Sequence, residues 1–209
     1  MTALSQILQE KIVAIIRGVN PGDVLKVAGA LQRGGVKLIE VTMNSDDALR
    51  VIEEISDTMK NKMLVGAGTV LDAASAKSAI QAGAKFIISP NTNIEVISAT
   101  KEQGVVSIPG AFTPTEIVSA YAMGGDIIKV FPSLGVAYIR DLRAPLDHIP
   151  LMPTGGINLE NIDEFKKTGA VAFGIGNALV NSKNKVTEEY LTQITDTASK
   201  FVKTISGSD

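Results

Sequence analysis

The chain of 209 residues contains no cysteine and a single histidine, His148. Without cysteine there are no disulfides and no thiolate metal sites, and nothing supports an extracellular stapled fold. A lone histidine excludes zinc centres built on several imidazoles, while an all-oxygen Mg²⁺ or Ca²⁺ site stays open. Charge of one sign is also lacking: 20 Lys and Arg against 22 Asp and Glu leave a formal charge of −2. The basic residues are spread along the chain, with no basic block and no aromatic-rich RNA signature, so no nucleic-acid partner is expected. No apolar run approaches the roughly 18 residues of a membrane span. The amino-terminal stretch "MTALSQILQEK" lacks the apolar core of a signal peptide and reads as a short amphipathic helix, with Leu4, Ile7 and Leu8 on one face. These absences predict a cytoplasmic protein without membrane contact.

What the chain does have is a repeat. Short apolar, β-branched runs begin near Ile12, Leu38, Leu64, Phe86, Val105, Ile127, Leu151 and Val171. Helix-period segments fill the gaps. In "PGDVLKVAGALQRGG" Pro21 suits a first turn and Gly34 a carboxyl cap; "DAASAKSAIQAG" opens on Asp72 and closes on Gly83; "TPTEIVSAYAMGG" opens on Thr113 ahead of Pro114. The strand runs are continuously apolar, the mark of strands buried on both faces. Eight βα units with short connections predict a parallel (β/α)₈ barrel of the TIM type with a short N-terminal helix, as one domain over residues 1–209. The rival, a doubly wound open sheet, requires fewer strands and a G-x-G-x-x-G turn after the first, which "RGVNPGD" does not match.

Barrel enzymes work at the carboxyl ends of their strands. Arg17 ends the first run, Glu40 and Thr42 lie late in the second, Thr69 ends the third, and Pro90 and Asn91 end the fourth. Lys129 lies late in the sixth, inside "IIKVFPS", and Thr154 ends the seventh. An arginine, a carboxylate and a lysine converging on one rim make a candidate site. A desolvated lysine beside other cations releases its proton more readily, and the neutral amine attacks carbonyls. The bland alternative is a lysine ion-paired with Glu40 or snorkelling past the strand end. Glu40 likewise suits either acid/base work or a pairing role.

Two glycine-rich loops follow the seventh and eighth runs: "MPTGGIN" with Gly155 and Gly156, and "FGIGNALV" with Gly176 and Asn177. Loops in these positions of a barrel often hold phosphate on backbone N–H groups at a helix start, and Gly176 with Asn177 are expected to head a short helix. The alternative is that the glycines only make tight turns. The G-x-G of "VGAGTV" is a weak signal that close packing also explains. His148 precedes the seventh run, at the opposite end, and reads as a surface or packing residue.

With these residues assembled, the chain resembles the class I KDPG aldolase family, the 2-dehydro-3-deoxy-6-phosphogluconate and 4-hydroxy-2-oxoglutarate aldolases. The likeness runs from about Ile12 to Val180 and rests on "EVT", "GAGTV", "SPN", "IPGAFTPTE", "IKVFP" and "PTGGI", in that order. The resemblance implies a homotrimer of barrels that cleaves a phosphorylated 2-keto acid to pyruvate and glyceraldehyde 3-phosphate, without metal or cofactor. It implies that Lys129 forms the Schiff base, that Glu40 moves protons, often through a water, and that Thr69, Pro90 and Phe131 line the pyruvyl pocket. Thr154, Gly155 and Gly156 would hold the phosphate.

The chain departs from the family pattern at three positions. Many members carry an arginine four residues after the glutamate, where Asn44 stands here; Arg17 on the adjacent strand end would supply the guanidinium. A phosphate-binding serine after the eighth strand is replaced by Asn177, whose amide also donates. Asn91 follows Pro90 where glycine is common. The alternatives are a 2-dehydro-3-deoxy-6-phosphogalactonate aldolase, a phosphosugar isomerase or epimerase on the same barrel, and a non-catalytic metabolite-binding barrel.

Overall fold

The computed structural model describes residues 1–60 and 62–207; the expected domain range also takes in Asn61, Ser208 and Asp209, which lie outside them. The strand runs form where expected: β1 (Ile12–Ile16), β2 (Leu38–Thr42), β3 (Leu64–Gly68), β4 (Phe86–Ile88), β5 (Val106–Ile108), β6 (Gly110–Ala111), β7 (Ile128–Val130), β8 (Leu151–Pro153) and β9 (Phe173–Ile175). The fifth expected strand is split into β5 and β6 at Pro109, which has no N–H to give the ladder. Hydrogen bonding runs β5-β4-β3-β2-β1-β9 in one sheet and β6-β7-β8 in the other. A parallel bridge between Thr154 and Gly174 joins β8 to β9, and every pairing is parallel. Eight strand positions thus close into a (β/α)₈ barrel, with Lys129 on the sixth, four places round from Glu40 on the second.

Each strand position is followed by its helix: α2 (Val24–Arg33), α3 (Ala48–Thr58), α4 (Ala73–Gln81), α5 (Ile94–Glu102), α6 (Pro114–Ala122), α7 (Val136–Arg143), α8 (Ile162–Lys167) and α9 (Glu188–Ser206). The caps follow the sequence signals. Asp72 Oδ1 accepts from Ser75 N–H at 2.7 Å, and Thr113 with Glu116 forms a reciprocal capping box ahead of Pro114. Gly34 caps α2, and Gly83 takes a left-handed turn (φ +107) one residue beyond the cap of α4.

Apolar burial is divided between two layers. One lies between strands and helices. The other fills the barrel, where Val13, Leu38, Phe86, Ile88, Val106, Ile108, Ile127, Met152 and Ala172 pack together. The helix α1 (Ala3–Glu10), capped by Thr2, closes the amino-terminal end by driving Ile7 into this inner cluster. Ile7 is fully buried and Leu4 packs against the cluster, whereas Leu8 turns outward and is 38% exposed, so the expected apolar face is narrower than three residues. Among the described residues no helix is long and apolar enough to cross a membrane.

Candidate active site

Side chains alternate along a strand, so residues two apart share a face. Inside the barrel that rule carries Leu38 to Glu40 on β2, Ile127 just before β7 to Lys129 within it, and Met152 to Thr154 at the end of β8. Glu40 is completely buried, and Lys129 and Thr154 are each 4% exposed. The strands make room for these groups with glycine. A Cβ added at Gly68 would land on the Glu40 carboxyl group, one at Gly66 on the Phe86 ring, and one at Gly174 on Thr154 Oγ1. The glycines of "VGAGTV" therefore serve close packing, and Gly68 in particular admits the carboxyl group to the interior.

The alternative reading, a Glu40–Lys129 ion pair, is not formed: among the described residues no cation lies within ion-pair distance of Glu40, and neither of its oxygens has a hydrogen-bond partner. Burial pushes the Glu40 carboxyl above its ordinary value of 4.5, and the positive charges of Lys129 and then Arg17 partly oppose the rise. Thr154 Oγ1 is also buried without a partner. Unsatisfied polar atoms in a barrel interior mark a place built for something other than packing. Lys129 Nζ stands 5.0 Å from the centre of the Phe131 ring, which forms part of the rim and is 39% exposed.

A cavity of about 540 Å³ opens above Lys129, walled by Ile15, Arg17, Phe131, Thr154, Gly155, Gly156, Gly176 and Asn177 together with their neighbours. It brings together most of the expected site. Arg17 Nη2 donates to Thr69 Oγ1 at 3.3 Å, and Thr69 holds a left-handed backbone (φ +57), an uncommon state for a β-branched residue and one that clusters at functional sites. Thr69 therefore touches Arg17 without lining the cavity. Pro90 follows β4 at the same mouth but does not line the cavity; its backbone carbonyl lies where a side chain on Gly110 would fall. Asn44 is exposed and takes no part in the wall, whereas Arg17 does.

Gly155 (φ +95) and Gly156 (φ +74) turn the loop after β8, and among the described residues no group accepts from the N–H of Gly155, Gly156 or Ile157, nor from those of Gly176, Asn177 and Ala178 across the cavity. The expected short helix after β9 is absent. Leu179 and Val180 donate to Gly176 O at 2.8 and 2.9 Å, closing a single turn, and the chain then runs on through residues 181–187 to α9. The free amides sit in loops rather than at a helix end. His148 is exposed at the opposite end, edge-on to Tyr121. Among the described residues no three His, Asp or Glu side chains are placed to hold a metal ion.

Three polar side chains of the mouth carry no prior signal in the strand reading. Ser45 Oγ accepts from Gly18 N–H at 2.9 Å and pairs with buried Thr42 Oγ1 at 2.9 Å, clamping the residue next to Arg17. Ser133 and Asn161 bind the backbone of the Gly155–Gly156 loop. The spacing of Asn158 and Asn161 in "NLEN" is an Asx-turn pattern and was the available clue.

The fold is that of a (β/α)₈-barrel enzyme, and the cavity lies at the carboxyl ends of its strands, where barrel enzymes work. The model of one family, KDPG and KHG aldolase, matches residues 4–197, and the chain belongs to that family. It is an aldolase, a carbon–carbon lyase. A probable 2-dehydro-3-deoxy-6-phosphogalactonate aldolase of Rhizobium meliloti is 35% identical over 175 residues, 82% of each chain. A 2-dehydro-3-deoxy-phosphogluconate aldolase of Treponema pallidum is 33% identical, over 79% of this chain and 80% of its own. The solved KDPG aldolase of Legionella pneumophila, with pyruvate captured at low pH as a covalent carbinolamine, is 26% identical with a TM-score of 0.80, covering 99% of this chain and 98% of its own.

Proposed function

We propose that the chain is a class I aldolase that cleaves 2-dehydro-3-deoxy-6-phosphogluconate to pyruvate and glyceraldehyde 3-phosphate, with 4-hydroxy-2-oxoglutarate as a further substrate. The observation that carries this reading is the buried lysine amine at the floor of a cavity, across the barrel from a buried carboxyl group with no partner of its own.

In this mechanism unprotonated Lys129 Nζ attacks C2 of the keto acid, and the carbinolamine loses water to become an iminium. Glu40, as carboxylate, takes the C4 hydroxyl proton. The C3–C4 bond breaks, its electron pair flows into the iminium to give an enamine, and the aldehyde leaves. Burial favours the protonated form of Glu40, which suits it to keep that proton until it is delivered to C3. Water then hydrolyses the pyruvate iminium and frees the amine. Arg17, steadied by Thr69, pairs with the C1 carboxylate, and Pro90 and Phe131 bound the pyruvyl end. The unpaired amides around Gly155, Gly156, Gly176 and Asn177, with Thr154, receive the phosphate.

The 6-phosphogalactonate substrate, which differs at C4, is the second reading and is favoured by the Rhizobium relative. A homotrimer of single-domain subunits in the cytoplasm completes the proposal, supported by the family resemblance. The test is borohydride reduction in the presence of pyruvate, followed by peptide mass mapping. A pyruvyl adduct on the Lys129 peptide is expected, and a folded protein that gives none would sink the Schiff-base assignment. Cleavage rates for the two C4 epimers then choose between the substrates.

A further inference from the structure

Three consecutive carbonyl groups in the loop after β8 are tied back by side chain or backbone donors. Ser133 N–H donates to Thr154 O at 2.9 Å, Ser133 Oγ donates to Gly155 O at 2.5 Å, and Asn161 Nδ2 donates to Gly156 O at 2.8 Å. In a trans peptide the C=O of one residue and the N–H of the next point in opposite directions. All three peptides are trans. Fixing these carbonyls therefore aims the N–H groups of Gly155, Gly156 and Ile157 the other way. Those are three of the amides left without an acceptor, and all three residues line the cavity.

Neither Ser133 nor Asn161 lines the cavity itself, and both are half-buried. Asn161 is held in one orientation by a second bond, in which its Oδ1 accepts from Asn158 N–H at 2.9 Å. A flipped amide would set Nδ2 against that N–H and Oδ1 against Gly156 O, losing both bonds. Asn158 Oδ1 in turn accepts from Glu160 and Asn161 N–H at 2.9 and 3.2 Å, so the anchor is part of a closed turn.

We infer that Ser133 and Asn161 are positioning residues for the distal anionic group of the substrate, holding the Gly155–Ile157 amides aimed at it before it arrives. The inference rests on the proposed phosphorylated substrate. Its physical basis is preorganisation: donors already locked in place lose little freedom when the anion binds. The cradle's donors are neutral, so its selectivity depends on direction rather than on net charge.

The experiment uses the full chain with Ser133→Ala, Asn161→Ala and Ser133→Thr, assayed on 2-dehydro-3-deoxy-6-phosphogluconate and on its unphosphorylated counterpart, with melting curves in parallel. Misaiming one donor to a charged group predicts a KM for the phosphorylated substrate higher by roughly tenfold in each alanine variant. The KM for the unphosphorylated substrate and the rate of pyruvate trapping at Lys129 stay as in the unmodified protein, and Ser133→Thr, which keeps the hydroxyl, restores the KM. Folded alanine variants whose KM for the phosphorylated substrate does not move would overturn the inference, as would KM values rising equally for both substrates. Should Asn161→Ala not fold, Ser133→Ala decides alone, since it retains the N–H bond to Thr154 O and loses one hydroxyl. An unmodified protein that does not discriminate between the two substrates would overturn the phosphate reading and this inference with it, a result distinct from the other two.

Discussion

The two ends of the barrel are built from the same strands and have opposite characters. At the amino-terminal end Ile7 joins a buried apolar cluster in which Val13, Leu38, Phe86, Val106, Ile127 and Met152 fill the interior. One side-chain repeat further along, Leu38 gives way to Glu40, Ile127 to Lys129 and Met152 to Thr154; the packing beside Lys129 and Thr154 opens into a cavity of about 540 Å³, while Glu40 stays completely buried outside its wall. The change takes one period of a β-strand. Burial stabilises the fold at one end and raises the Glu40 carboxyl at the other, and one barrel of parallel strands holds both in register.

That contrast is tested most severely at Lys129. Lys129→Ala removes the proposed nucleophile, and cleavage is expected to fall by about 10⁴-fold or more, with pyruvate trapping lost altogether. Glu40→Gln keeps the shape but not the proton exchange, so kcat should fall by roughly 10²- to 10⁴-fold while borohydride still traps pyruvate on Lys129. The same variant sharpens the comparison through pH. The folded carboxyl binds its proton more tightly than the unfolded one, because burial raises it above 4.5. Above that value the unfolded chain ionises first, so the unmodified protein loses stability as pH rises until the folded group has ionised too. Melting curves of Glu40→Gln against the parent should therefore show a gain that grows with pH from about the ordinary carboxyl value upward; a gain that shrinks would contradict the burial argument. At the sealed end, Ile7→Ala leaves a void in the inner cluster and is expected to lower stability by roughly 2–5 kcal/mol in denaturant titrations, with KM unchanged. The smallest effect is expected at Ser45→Ala, where losing the clamp on Gly18 costs about 1 kcal/mol, read as a few-fold rise in KM for keto acid with trapping intact.

Much of this was legible in the chain because strand and helix periods report directly on burial. The eight apolar runs, the caps at Asp72 and Thr113, and the inward lysine all follow from local pattern. Pro109 splits a strand that its apolar neighbours make look continuous, since hydrophobic periodicity does not register a missing N–H. The short helix after Gly176 is an expectation from the position of that loop in a barrel, and the hydrogen bonds there close only a single turn. Lys129 and Glu40 stood open between ion pair and chemistry, and only their placement on opposite sides of the ring removes the pairing. Ser133 and Asn161 are hard to read from the chain for a related reason: they act on carbonyl groups brought near by folding, and of the two only Asn161 carries a local sign, the Asx-turn spacing of "NLEN".

Gly68 has a consequence for how this barrel tolerates change. Its missing side chain is the space that the Glu40 carboxyl occupies. The two positions, 28 residues apart in the chain and neighbouring in the sheet, share one volume. A larger residue at 68 is tolerable only with a shorter one at 40, so the acid cannot be relocated around the ring by a single substitution. Variation at either position is constrained to move along a path on which both change together, and a library that randomises one of them alone samples mostly misfits.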